Sequence, residues 1–216
     1  YDLILGNWNA WGDAKVKEWP ASTREAFGNF IRSGKGYVSI HAGSSSFYDW
    51  PEYQQLAGGW WKLGQTGHGP KHPFAVKSAD ADHLVTRGLT NFVTTDELWH
   101  QTGLQPDVRI LATAFSATDK GGTGKDEPVA FVKDFGQGRC FNLLLGHNAA
   151  AMESSGFQDL LRRGAEWAAT GAVKPAAVPG KPRNGMEQTQ TGEAFFHQGR
   201  LLWDVTADSA QGKPFF

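Results

Sequence analysis

Residues 2–40 read as strand, helix, strand with short joins, and this pattern restricts the fold more than any other feature of the chain. Asp2-Leu-Ile-Leu-Gly6 is an apolar run closed by glycine, as in a buried strand. Trp19-Pro20-Ala21-Ser22 offers a helix start, with Pro20 or Ser22 near its first turn. Ala26, Phe27, Phe30 and Ile31 recur at helical spacing, and Ser33-Gly34-Lys35-Gly36 supplies the stop. Tyr37-Val-Ser-Ile40 follows as a second strand. Such a unit implies a parallel sheet covered by helices. Ligands of these sheets sit beyond the carboxyl ends of the strands. That rule puts His41-Ala-Gly-Ser-Ser-Ser46 at the expected site.

Further along, Pro51 to Leu56 is a short helical segment and Gly58 to Pro70 a glycine-rich loop. His72 to Ser78, Val108 to Ala114 and Val129 to Lys133 read as strands, and Asp82 to Leu89 as a turn of helix. Asp96 to Gln101 leads into or forms a short strand. Thr118 to Glu127 is a polar, glycine-rich excursion. Gly138 to Gly146 is a buried strand, and Phe157 to Ala169 an amphipathic helix ended by Gly171. Residues 172–184, with Pro175, Pro179 and Pro182, have linker composition, and Leu201 to Val205 could form a strand in the tail. The expected organisation is a domain over residues 1–171 and a proline-rich linker and tail over residues 172–216.

Twenty-one basic against 22 acidic residues leave a formal net charge of -1, without the basic excess of an electrostatic nucleic-acid binder. No apolar run approaches the roughly 20 residues that cross a bilayer. The single cysteine, Cys140, excludes an internal disulfide and multi-cysteine zinc sites, and its apolar surroundings mark a buried core thiol. The compartment stays open. Of the 9 tryptophans, Trp8, Trp11, Trp50, Trp60 and Trp61 lie in loop-like stretches, where core packing and ligand stacking are equally expected.

Histidines stand where strands end: His41 after Ile40, His147 after Gly146, and His100 in Glu97-Leu-Trp-His100. Carboxyl ends of parallel strands point at one crevice, and neutral imidazole there can shuttle a proton or bind a metal. His41, His100, His147 and Glu97 are candidate ligands, although no compact metal motif accompanies them. The serines Ser44 to Ser46 lack the G-x-S-x-G elbow of a nucleophile, and the loop Gly43 to Ser46 reads equally as an amide cradle for an oxyanion. Gly121-Gly-Thr-Gly124-Lys125 lacks phosphate-loop spacing.

Gly36-Tyr-Val-Ser-Ile-His41-Ala-Gly, Thr95-Asp-Glu97-Leu-Trp-His100 and Gly138-Arg-Cys-Phe-Asn-Leu-Leu-Leu-Gly-His147 together resemble the trehalose-utilisation (ThuA-like) family, over about Tyr1 to Gly171. The resemblance implies an α/β, flavodoxin-like parallel sheet with helices on both faces, as in class I glutamine amidotransferases. The usual first strand, helix and strand have no counterpart here. His41 stands at the amidotransferase cysteine position and His147 matches its partner histidine, so thiol chemistry is not expected.

The resemblance also implies carbohydrate processing of a disaccharide or 3-keto-sugar, by acid/base hydrolysis or elimination with or without a metal. The alternative is a non-catalytic sugar-binding module of a larger protein. Expected catalytic residues are His41, His147 and Glu97, and expected substrate contacts are Ser44, Asp49, Trp50, Trp99, His100 and Asn148. His41, His100 and His147 are the expected ligands of a divalent ion such as zinc. The expected partner is a small carbohydrate, not nucleic acid or membrane, with a homo-oligomer or a multidomain parent chain both open.

Overall fold

The computed structural model describes residues 1–9 and 19–174 in full and, beyond them, the backbone of three strands within residues 185–206. Trp11 and the linker residues 175–184 lie outside the described residues. Two compact units are formed, Tyr1–Lys174 and Pro175–Phe216.

In the first unit the opening unit folds as its pattern requires. β1 (Leu3–Gly6) leads to α1 (Ala21–Arg32), which returns the chain to β2 (Gly36–Ile40), parallel to β1. Pro20 caps α1, where its missing N–H costs nothing. A 3-10 turn (His41–Ser45) and α2 (Pro51–Ala57) follow. The glycine-rich stretch after α2 contains two-residue strands, β3 (Gly59–Trp60) and β4 (Gly67–His68). Next come β5 (His72–Ser78), β6 (Phe92–Asp96), β7 (Trp99–His100), β8 (Gly103–Leu104), β9 (Arg109–Ser116), β10 (Lys125–Phe135) and β11 (Gly138–Leu143). The unit closes with α3 (Ala149–Met152) and α4 (Ser155–Thr170). Within the expected helical turn, residues 84–88 form turns, and the Thr86 and Arg87 N–H groups bond the His83 carbonyl.

The main sheet has seven strands in the order β1-β2-β11-β10-β9-β5-β6. Only β1–β2 and β2–β11 are parallel, and the four remaining pairings are antiparallel. The expected flavodoxin-like, wholly parallel sheet is therefore corrected to a mixed one. The physical reason is connection length. Parallel neighbours need a crossover of a dozen or more residues, whereas only Gly136 and Gln137 separate β10 from β11.

Helices cover both faces of the parallel part. Val38, Ile40, Phe141 and Leu143 pack with Phe157, Leu160 and Trp167 of α4. On the other face Tyr37 and Cys140 pack with Phe27, Ile31, Trp50, Tyr53 and Leu56. Cys140 is fully buried, and burial pushes its thiol well above the ordinary range, consistent with an inert core group. Among the described residues no helix is long and apolar enough to cross a membrane.

Four successive reversals from β11 to β6 return the chain to its starting direction. The carboxyl end of β6 thus faces the same edge as those of β2 and β11.

The second unit is a three-stranded antiparallel sheet, β12 (Gly185–Gln188), β13 (Gly192–His197) and β14 (Arg200–Thr206). β14 contains the expected Leu201 to Val205 strand.

Candidate functional site

Three strand ends at this edge, those of β2, β11 and β6, each deliver one group. His41 follows β2 directly and adopts φ 38°, a left-handed conformation that a side chain bearing Cβ enters at a cost. Its Nδ1, 2.8 Å from the Leu144 carbonyl, holds it there. His147 follows Gly146, whose φ is 101° and whose Cβ, if present, would lie 2.7 Å from the Phe157 ring. Only glycine fits that turn. Glu97 follows Asp96 at the end of β6. The Asp96 carboxylate is fully buried and accepts the backbone N–H of Gly146 at 2.6 Å, of His147 at 3.1 Å and of Glu97 at 2.8 Å. This clamp curls the far edge of the sheet back onto the exit of β11. His68 arrives on β4, paired with β7 through Gly67↔His100 and His68↔Trp99.

The groups converge on one oxygen. Glu97 Oε2 lies 2.9 Å from His147 Nδ1, 3.7 Å from His68 Nε2 and 3.9 Å from His41 Nε2. The His41 and His147 rings stand 5.3 Å apart at 82°. One ligand atom each from His41, Glu97 and His147 falls within 4.8 Å of the others, a group that could hold a metal ion. Burial lowers the His41 pKa from its usual 6.5, only partly countered by the Leu144 hydrogen bond and the charge of Asp96. Burial thus favours the uncharged form of His41 relative to a solvated imidazole.

A cavity of about 400 Å³ opens over these groups, with Trp61, Trp99 and Ser45 in its walls. The Trp99 ring stands 4.8 Å from His41 and 4.9 Å from Trp61, which meets it edge-on. One side of the cavity is thus aromatic and the other carries imidazole and carboxylate. This arrangement suits a ligand with both a C–H face and hydroxyl groups. His147, anchored by a carboxylate at Nδ1, can offer Nε2 as a base.

Of the expected residues, His41, His147, Glu97 and Trp99 meet in this cavity. The others do not line it. Ser44 is fully buried beneath the turn, its hydroxyl 3.0 Å from that of Ser39. Trp50, expected at the rim, is 6% exposed and packs among Trp19, Phe27, Phe47 and Tyr53. Asp49 beside it is exposed. Asn148 caps α3, its side chain accepting the Ala151 N–H at 3.0 Å. His100 packs against Gly67 and stands outside the ligand group, where Glu97 takes its place beside His41 and His147.

Sequence reasoning missed His68, Trp61 as a specific wall, and Asp96. The motif Thr95-Asp-Glu97 held the signal for Asp96: an acid beside the acid at a strand end.

The profile of the trehalose-utilisation family, ThuA, matches residues 1–168. No curated protein sequence matches the chain. A ThuA-like protein of Parabacteroides merdae is 31% identical, with a TM-score of 0.74 over 92% of this chain and 78% of its own. One from Bacteroides uniformis is 22% identical, with a TM-score of 0.59 over 80% and 72%. A cytoplasmic protein of Salmonella typhimurium shares the fold at 12% identity, with a TM-score of 0.53 over 74% and 69%. On the family match and the Parabacteroides relative together, the chain belongs to the ThuA, trehalose-utilisation, family.

Proposed function

We propose that the chain processes a disaccharide or its 3-keto derivative by acid/base chemistry, in hydrolysis or elimination. The observation that carries this is the 2.9 Å contact between Glu97 Oε2 and His147 Nδ1 at the floor of a cavity walled by Trp61 and Trp99. A ketone at C3 acidifies the C–H at C2. Loss of that proton to His147 Nε2 would make an enolate, whose collapse forms the C1=C2 double bond and breaks C1–O, and the His147 imidazolium would return the proton to the departing glycosidic oxygen. Glu97 would fix the Nδ1–H tautomer and stabilise the imidazolium as it forms. The aromatic walls would seat the C–H face of the sugar.

A cation-assisted form of the same reading has its own support. With Nδ1 at the Leu144 carbonyl, His41 turns Nε2 toward Glu97 Oε2 at 3.9 Å, beyond hydrogen-bond distance. In that form His41, Glu97 and His147 would together hold a first-row divalent ion such as zinc, whose chemistry is to polarise the ketone and stabilise the enolate, and His147 would be a ligand in place of the base.

Turnover of 3-keto-trehalose and of trehalose, followed by product chromatography, tests the reading. The expected result is release of glucose-type products by the wild type and loss of about 10²–10⁴-fold in rate for His147→Ala, the range of a general base. Sugar affinity without any turnover would overturn the enzyme and leave a sugar-binding module. A chelator that abolishes turnover would select the cation-assisted form.

A further inference from the structure

The strands beneath the aromatic wall are too short to hold it by themselves. Trp61 follows β3, and His68, which also lines the cavity, ends β4. These strands and their partners β8 and β7 have two residues each. Pairs of that length are marginal without other contacts. Two buried polar side chains that the chemistry above leaves unused supply the missing ties. Thr66 and Glu127 are each 8% exposed, and neither lines the cavity.

Trp61 donates its backbone N–H to the Ser44 carbonyl at 2.9 Å. Thr66 then closes the stretch between Trp61 and His68 on itself. Its Oγ1 accepts the Lys62 N–H at 2.9 Å, and its own N–H donates to the Lys62 carbonyl at 2.8 Å. The Thr66 hydroxyl donates outward, to the Gln101 carbonyl at 3.0 Å. A hydroxyl has one proton to give and lone pairs to accept with, so it holds both bonds at once.

Gln101 follows β7 with a φ of 53°, a left-handed conformation in a residue that bears Cβ. Such a conformation persists only where the surroundings fix it. Here the carbonyl is held by Thr66 and the N–H by Glu127 Oε2 at 3.0 Å, while the Thr123 hydroxyl donates to Glu127 Oε1 at 2.7 Å. Glu127 stands on β10, opposite Ala114 of β9 in the main sheet. A continuous series of hydrogen bonds therefore runs from the main sheet through Gln101 and Thr66 to the loop between Trp61 and His68.

Resting on the sugar-binding part of the function proposed above, we infer that Thr66 and Glu127 are positioning residues for the sugar. They hold Trp61 and His68 in place over the strand-end groups, and so act on affinity. Asp96, which clamps the exits of β6 and β11, stands outside this series. The wall and the chemical groups are thus held by separate buried carboxylates.

The test is steady-state turnover of 3-keto-trehalose by the full chain, together with the Kd for trehalose from calorimetry. Thr66→Val keeps the shape of the side chain and removes both hydroxyl bonds. It is expected to raise KM and Kd about three- to tenfold, the worth of a displaced aromatic contact, with kcat within about twofold of the wild type. Thr66→Ser, which restores the hydroxyl, should return both constants to their wild-type values. Glu127→Gln puts an amide N–H where an acceptor stood and should show the same split. Folded Thr66→Val and Glu127→Gln proteins with wild-type KM and Kd would overturn the inference and leave the sugar reading intact. A fall in kcat at unchanged KM would also overturn it, since the series would then serve the chemistry. A wild type with neither turnover nor affinity for these sugars would overturn both. Circular dichroism checks folding, and where Thr66→Val unfolds, Glu127→Gln decides.

Discussion

The buried carboxylate of Asp96 accepts the backbone N–H of His147 at 3.1 Å, so the residue preceding Glu97 fixes the residue that Glu97 contacts. Asp96→Ala should leave three backbone donors without their acceptor, at about 1–3 kcal/mol for each one that stays buried. Urea unfolding should show a loss of several kcal/mol for Asp96→Ala and a smaller one for the isosteric Asp96→Asn. Unchanged midpoints would mean that the clamp contributes nothing to stability.

Trp50 and Trp61 should separate stability from binding. Trp50→Ala removes a core indole and should cost roughly 3–5 kcal/mol. Trp61→Ala, at the cavity wall, should cost little stability but weaken a bound sugar by about 0.5–1.5 kcal/mol, the worth of an aromatic contact. Thermal melts and calorimetric titration would read the two effects. A destabilised Trp61→Ala with intact sugar affinity would contradict this division.

Gly146→Ala should be harmful out of proportion to one methyl group. The new Cβ would meet the Phe157 ring at 2.7 Å, at a φ of 101° that L side chains avoid. A cost of about 1–3 kcal/mol is expected from the backbone alone. Because His147 follows directly, turnover should fall as well. A fully stable, fully active variant would show that the turn relaxes freely.

Acidification should weaken the fold through His83. This ring is buried against Trp167, and its Nδ1 accepts the Val85 N–H at 3.3 Å. Burial, with the nearby Arg109 charge, lowers its pKa from the usual 6.5, partly countered by Asp80. Below pH 6.5 the unfolded chain therefore takes up the proton before the folded one does, and stability falls until the folded pKa is passed. His41 is shifted in the same direction by the same cause. Urea midpoints should drop between about pH 7.5 and pH 5.5, and His83→Asn should flatten part of that drop. An equal slope in the variant would assign the effect to other groups.

The parts of the fold legible in the sequence are those whose buried residues are apolar. β2 is buried along its whole length, and its run, like that of β11, ends on or near a histidine that the structure brings to the site. β6 escaped notice because its inward residues include Thr94 and Asp96, so no apolar period marks it. His68 was hidden for a different reason: a two-residue strand is shorter than any period. Trp50 misled because Asp-Trp-Pro resembles a loop, whereas the rings that enclose it come from Trp19, Phe27, Phe47 and Tyr53. The antiparallel turn of the sheet was readable in principle, since Phe135-Gly136-Gln137-Gly138 leaves no room for a crossover.

The even number of reversals between β11 and β6 acts as a parity rule on how this architecture can vary. Gain or loss of a single strand in that stretch would invert β6 and carry Glu97 to the opposite edge, some strand lengths from His41 and His147. Strands there can be added or removed only as hairpins, two at a time, if the carboxylate is to keep its imidazoles.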